Sequence, residues 1–212
     1  MNARRAPGAG QGEIDGRRRR GAQSRKTVLA RAIELVSVSG LDGLTIGQLA
    51  HALGFSKGRI TGLFKTKDAL QIAAVEAAID AFGVSTVKAA LALKTPLEPL
   101  RALVSGWFTY AEQCPYPGGP IMYALFYEYR GRSGAVRDRI AAWRKSWQDV
   151  HVGLIREAQA LGQLRRDVNA EHLVFEITAM QSGAEIAAKY GDTQAYSFAR
   201  TRALDRIANV SR

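Results

Sequence analysis

A single cysteine, Cys114, in 212 residues excludes an intramolecular disulfide framework. One lone thiol in a chain of this size fits a reducing cytoplasm, which is the expected location. Histidine is nearly as scarce. His51, His151 and His172 have no metal-ligand spacing between them, so no metal site is expected. Paired carboxylates, a Ser-His-Asp or Cys-His layout and a glycine-rich phosphate loop after a strand are all missing. The chain therefore does not read as an enzyme, and no cofactor is expected. No apolar run approaches roughly eighteen residues, which excludes a membrane-spanning helix. The basic N-terminus is not followed by the apolar stretch of a secretory signal. Alternating β-branched runs bounded by hairpin turns are absent too, so strands are not expected.

Acidic residues are the last shortage. Nineteen Asp and Glu face thirty Lys and Arg, a net charge of +11. The imbalance is local, because residues 1–26 hold eight basic groups and only two acidic ones. Such asymmetry points to a polyanion, nucleic acid or an anionic membrane surface, at the N-terminal end. Residues 1–22 are mostly Arg, Gly and Ala with little to bury, and read as a disordered Arg-rich arm carrying Arg4, Arg5 and Arg17 to Arg20.

From Ser24 onward the apolar positions recur at helical spacing, which predicts an all-α fold of about nine helices. The first runs from about Ser24 to Val38 and ends at Gly40. Thr45 caps a short second helix that stops at Gly54, and Ser56 caps a short third. Residues 67–93 read as a long fourth helix with Gly83 a weak point. Pro96 and Pro99 open a fifth, and Cys114 to Pro120 is the clearest loop. Four more follow: a short aromatic one over 121–129, a long one over 135–161, and two over 170–190 and 193–210.

Residues 45–64, TIGQLAHALGFSKGRITGLF, carry the strongest functional signal. Two short amphipathic helices flank Gly54, which supplies the positive φ of a tight turn. Ala50 is small where crossing helices approach, and Leu49, Leu53 and Ile60 can fill the wedge between them. This is the layout of a helix-turn-helix, whose second helix enters the major groove. That helix offers Lys57, Arg59 and Thr61, with Lys65 and Lys67 just beyond, all donors suited to phosphates and guanine edges. With Thr45, Ser56 and Gly58 they form the candidate DNA-binding set.

Residues 25–70 resemble the DNA-binding domain of the tetracycline-repressor (TetR) family. The likeness rests on Leu29, Ala32, Leu35, Gly40, Thr45, Ile46, Leu49, Ala50, Gly54, Ser56, Lys57, Gly58, Ile60, Phe64, Lys67 and Leu70. Thr61 stands where the family usually has a tyrosine that reaches a phosphate; it keeps a hydroxyl and loses reach. Gly62 weakens the short helix by roughly 1 kcal/mol relative to Ala. The resemblance implies a helix-turn-helix domain over 23–70 and a variable helical domain over 71–212 for ligand and dimer contacts. It also implies a homodimeric transcriptional regulator, a repressor released from a palindromic double-stranded DNA operator by a small-molecule effector. A DNA-binding protein without a ligand, and an activator of the same fold, are the alternatives. No membrane partner is expected.

In the second domain Trp107, Phe108, Met122, Tyr123, Phe126, Tyr127, Trp143 and Trp147 form an aromatic-rich set that lines a ligand pocket or fills ordinary core. Glu112, Glu128 and Arg144 are the charges that could read a polar ligand, and spacing does not choose among them. Small residues recur on the last two helices. By the resemblance, Ile177, Met180, Ala184, Ala187, Ala195, Ala199, Arg202 and Ala203 are the expected dimer contacts.

Overall fold

Helix punctuation shapes the N-terminal elements of the computed structural model, which describes residues 9–212. Helix α1 spans Ala9–Ser39 and closes on Gly40 at φ +70°. Thr45 caps α2 (Ile46–Leu53) in a full capping box, accepting from the Gln48 N–H while the Gln48 side chain takes the Thr45 N–H. Gly54, at φ +62°, ends α2 in the left-handed region, and Ser56 accepts from the Arg59 N–H to start α3 (Lys57–Phe64). Thr66 caps α4 (Lys67–Phe82) in the same way.

The fourth helix is interrupted where the sequence marks a weak point. Gly83–Val87 forms a π-helical turn before the short α5 (Lys88–Ala90). That break raises the count from nine expected helices to ten α-helices among the described residues, with no strand. The remaining helices are α6 (Leu97–Glu112), α7 (Ile121–Tyr129), α8 (Ala135–Ala160), α9 (Ala170–Lys189) and α10 (Ala195–Ala208).

Residues 9–22, expected to be a disordered arm, are helical and continuous with the packed part of α1. Arg, Ala and Gln are good helix formers, and elongation from an existing helix avoids the cost of a new nucleus. Residues 1–8, with Arg4 and Arg5, lie outside the described residues.

Two hydrophobic cores meet along the chain. The first joins Val28, Ala32, Val36, Leu49, Ile60, Phe64 and Leu70. It does not stop at residue 70, where the sequence suggests a domain boundary. It continues along α4 through Ala74 and Ala78 and takes in Met122, Leu125 and Tyr129 of α7 with Ile140 of α8. The second core lies between α6, α8, α9 and α10, around Phe108, Ile155, Leu173 and Ile177. Helix α7 is thus shared between the helix-turn-helix unit and the C-terminal domain.

Candidate DNA interface and effector groove

Helices α2 and α3 cross as the sequence predicts, with Leu49, Ala50 and Ile60 buried between them. On the outer face, Lys57, Gly58, Arg59, Thr61, Lys65 and Lys67 are all exposed, and Thr45 and Ser56 hold the helix starts. Several of these side chains already have intramolecular partners. Arg59 lies over the Phe55 ring, 3.7 Å from its centroid, and donates to Ser24 Oγ of α1 at 2.7 Å. Lys67 donates to the Asp42 carbonyl at 3.2 Å. Thr61 Oγ1 donates to the Lys57 carbonyl at 3.0 Å, so its hydroxyl serves the helix itself. Arg25, on the packed part of α1, braces α3. It stacks 4.5 Å from the Phe64 centroid and donates to the Leu63 carbonyl.

The second site lies on the opposite face of α7. Successive helical residues turn by about 100°, so neighbours in sequence can face apart. Met122 and Leu125 enter the N-terminal core and Tyr129 borders both sides, while Phe126 lines two adjoining recesses of about 140 and 380 Å³ against α8 and α9 and Tyr127 lines the larger. Tyr123, Trp143 and Trp147 line the smaller one with Phe175, Gln148 and Thr178. Phe126, Arg144 and Ser182 belong to both, which makes them one groove. Trp143 stacks on Trp147 with centroids 6.1 Å apart, and Phe126 stacks on Trp143 at 5.9 Å.

Three of the eight aromatic-set candidates are not in this groove. Trp107 and Phe108 are closed into the second core, where Trp107 packs edge-on against Phe108 and Tyr123. Met122 faces the DNA-binding unit. Helical spacing alone put them with the rest, and the position of α7 between two cores separates them.

The three candidate charges also part company. Glu112 is ion-paired with Arg200 of α10. Glu128 accepts from the backbone N–H groups of Leu41 and Asp42, both at 3.0 Å, in the turn after α1. A Cβ on Gly40 would come within 2.6 Å of that carboxylate and push it off its N–H partners, and the φ of +70° favours glycine there. Arg132 adds an ion pair to Asp42, whose carboxyl is held below its usual range by the Arg132 hydrogen bond. Only Arg144 faces the groove.

At the other end of α7, the loop before it docks on α1. Gly118 N–H donates to Ser37 Oγ at 3.1 Å, and a Cβ there would overlap the Ser37 carbonyl. Both ends of α7 are therefore fastened to α1 and its following turn. Arg139 of α8 adds a bidentate pair to Glu76 of α4, and it holds the Glu76 carboxyl below its ordinary value. Cys114, beside this loop, is half-buried, and burial raises its thiol above the usual range, away from reactive thiolate.

Five of the eight expected dimer contacts are taken up by intrachain packing. Ile177, Ala184, Ala195, Ala199 and Ala203 are buried inside the chain itself. Met180 and Ala187 are partly buried against the same core, and Arg202 is exposed beside Asp205. Small residues let α9 and α10 approach each other and α6 closely, so they mark intrachain packing. The outward faces carry Phe175 and Ile186 on α9, Tyr190 just after it and Phe198 on α10, with Phe198 70% and Tyr190 90% exposed. Their signal in the sequence was large apolar residues left over on the polar side of each helix.

A helix-turn-helix seated on a helical domain with an aromatic groove defines a class: an all-α transcriptional regulator. Residues 96–203 match the family model of the tetracyclin repressor-like C-terminal domain. The chain belongs to the TetR family of transcriptional regulators. A solved TetR regulator from Chloroflexus aurantiacus is 28% identical, over 92% of this chain and 98% of that one, with a TM-score of 0.81. A regulator from Saccharomonospora viridis, in complex with choline, is 21% identical over 90% and 99%, with a TM-score of 0.74. AibR, in complex with isovaleryl coenzyme A and operator DNA, is 20% identical over 76% and 85%, with a TM-score of 0.63. No functionally curated protein matches the chain in sequence. No helix among the described residues is long and apolar enough to cross a membrane.

Proposed function

We propose that this regulator is a repressor that binds a palindromic operator as a homodimer and leaves it when a small molecule fills the groove behind α7. The double placement of α7 carries this reading. One face walls the groove, and the other face and both ends hold α1 and the turn before α2. A ligand that displaces α7 must shift the DNA-binding unit or break those contacts. The α4 helix offers a parallel route, since it is tied to α8 by Glu76 and Arg139 and softened at the Gly83–Val87 turn. The structural neighbours in complex with choline, and with isovaleryl coenzyme A and operator DNA, support ligand and operator binding of this general kind.

For DNA, Lys57 and Arg59 on α3 are the proposed base readers, with Thr45, Ser56, Gly58, Thr61, Lys65 and Lys67 at the phosphates. Arg59 has to leave Phe55 and Ser24 to reach a base edge. The helical extension of α1 brings the exposed Arg18, Arg19 and Arg20 as further backbone contacts. The homodimer is proposed to close over Phe175, Ile186, Tyr190 and Phe198, since apolar side chains this exposed on adjacent helices gain by burial.

The test is selection of an operator from a random duplex library, followed by titration with the Lys57→Ala and Arg59→Ala variants. Each should cost about 1–3 kcal/mol on the selected sequence and less on random duplex. Equal losses on both would make these residues phosphate contacts, and failure to enrich any palindrome would sink the operator reading.

A further inference from the structure

We propose that the groove between α7, α8 and α9 is built for an amphipathic organic anion, a carboxylate or phosphate ester on an apolar body. This rests on reading the groove as the effector site. The residues lining its two recesses include Arg130, Arg137 and Arg144 and no Asp or Glu. Arg137 and Arg144 lie seven residues apart on α8, two turns along one face, and Arg130 closes the end of α7.

Arg130 and Arg144 have no carboxylate partner among the described residues, unlike several other arginines of the chain. Arg31, Arg132, Arg139, Arg156, Arg165, Arg200 and Arg206 each reach a carboxylate by hydrogen bond. Arg144 has no carboxylate within ion-pair distance among the described residues, and its guanidinium sits 5.9 Å from the Phe126 centroid. Arg130 gives one N–H to the Tyr127 carbonyl, whereas Arg137 is ion-paired with its neighbour Asp138, at 3.3 Å. The groove thus holds positive charge in surplus beside a wall of stacked rings. A guanidinium presents paired donors in a plane, which fits two oxygens of a carboxylate or phosphate. The Phe126, Trp143 and Trp147 rings offer an apolar surface for the remainder of such a molecule. A cation of the same size would meet the same rings but face the unpaired charges of Arg130 and Arg144.

Calorimetric titration of the full chain without DNA tests this with four probes sharing one tail: octanoate, octyl phosphate, octan-1-ol and octyltrimethylammonium. At least one anion should bind about tenfold or more tighter than the alcohol, and the cation should bind most weakly. Arg144→Gln should bring the anion down to the level of the alcohol while leaving the alcohol unchanged. Arg144→Glu should reverse the order in favour of the cation. Arg144 is exposed, so both variants should keep the parent melting curve, and Arg137→Gln gives a second, milder version. Preference for octanoate assigns a carboxylate, and preference for octyl phosphate a phosphate ester. The proposal is overturned if neither anion binds, if the cation binds as well as the anions, or if Arg144→Glu keeps the anion preference. Operator affinity is read separately. An anion that binds through Arg144 yet leaves operator affinity unchanged would defeat the effector reading and leave the anion site standing.

Discussion

The two faces of α7 do opposite work with similar residues. Toward the DNA-binding unit, Met122 and Leu125 are buried and Glu128 is fixed on two backbone N–H groups. Toward the groove, Phe126 and Tyr127 border open space and Arg144 of α8 lacks a counter-charge. The satisfied face holds position, and the unsatisfied face has something to gain from a ligand. A short helix that is rigid on one side and responsive on the other can pass a binding event across itself. The coupling between two sites is the difference in ligand affinity between their two arrangements.

The comparison is broken most severely from the buried side. Leu125 is fully enclosed, so Leu125→Ala should cost about 2–5 kcal/mol through lost packing and a cavity. Urea unfolding followed by circular dichroism measures it, and a loss under 1 kcal/mol, roughly the low end of core truncations, would mean α7 is not seated as described.

Glu128→Gln is subtler and more informative. It keeps the shape but replaces one acceptor oxygen with an NH2 group, so one of the two hydrogen bonds from the Leu41 and Asp42 N–H groups is lost and the other loses its charge, a cost of about 1–3 kcal/mol at a half-buried position. The ligand should still bind, while its effect on operator affinity should shrink. Full coupling in this variant would leave α4 as the sole route.

Farther along α8, the buried His151 gives a pH signature. Its ring is enclosed, its Nδ1 lies 2.8 Å from the Trp147 carbonyl, and burial lowers its pKa below 6.5. Below pH 6.5 the unfolded chain therefore takes up a proton that the folded chain refuses. Stability should rise with pH through that window and fall on acidification, by at most about 1.4 kcal/mol per pH unit. His151→Leu should flatten this limb, and an unchanged slope would assign it elsewhere. The Glu76 pair acts lower, because its contribution is present above 4.5 and lost as pH falls through the depressed folded value.

The smallest effect belongs to Arg132→Gln. Its pair with Asp42 is solvent-exposed, and such pairs are screened by salt. Melting temperature at moderate salt should hardly move. A clear drop would place Arg132 with Glu128 as a structural part of the junction.

The sequence by itself determined the elements whose signals are local. Thr45, Ser56 and Gly54 are caps and a left-handed turn whose chemistry is complete within a few residues, so the helix-turn-helix was legible at residue level. Gly83 announced the break in α4 for the same reason. Even there the partners of Arg59, namely Ser24 and Phe55, needed α1 to be laid across α3. In the C-terminal domain, only tertiary structure chose between faces. Ala184 and Ala199 suit a dimer seam and an intrachain contact equally well, because close approach demands small residues in either case. Glu128 and Arg144 were equal candidates in the sequence. One met backbone N–H groups eighty-six residues away or more, the other met an aromatic wall with no acid in reach. Charge and helical periodicity are properties of a segment, whereas what neutralises a charge depends on which distant segment packs against it.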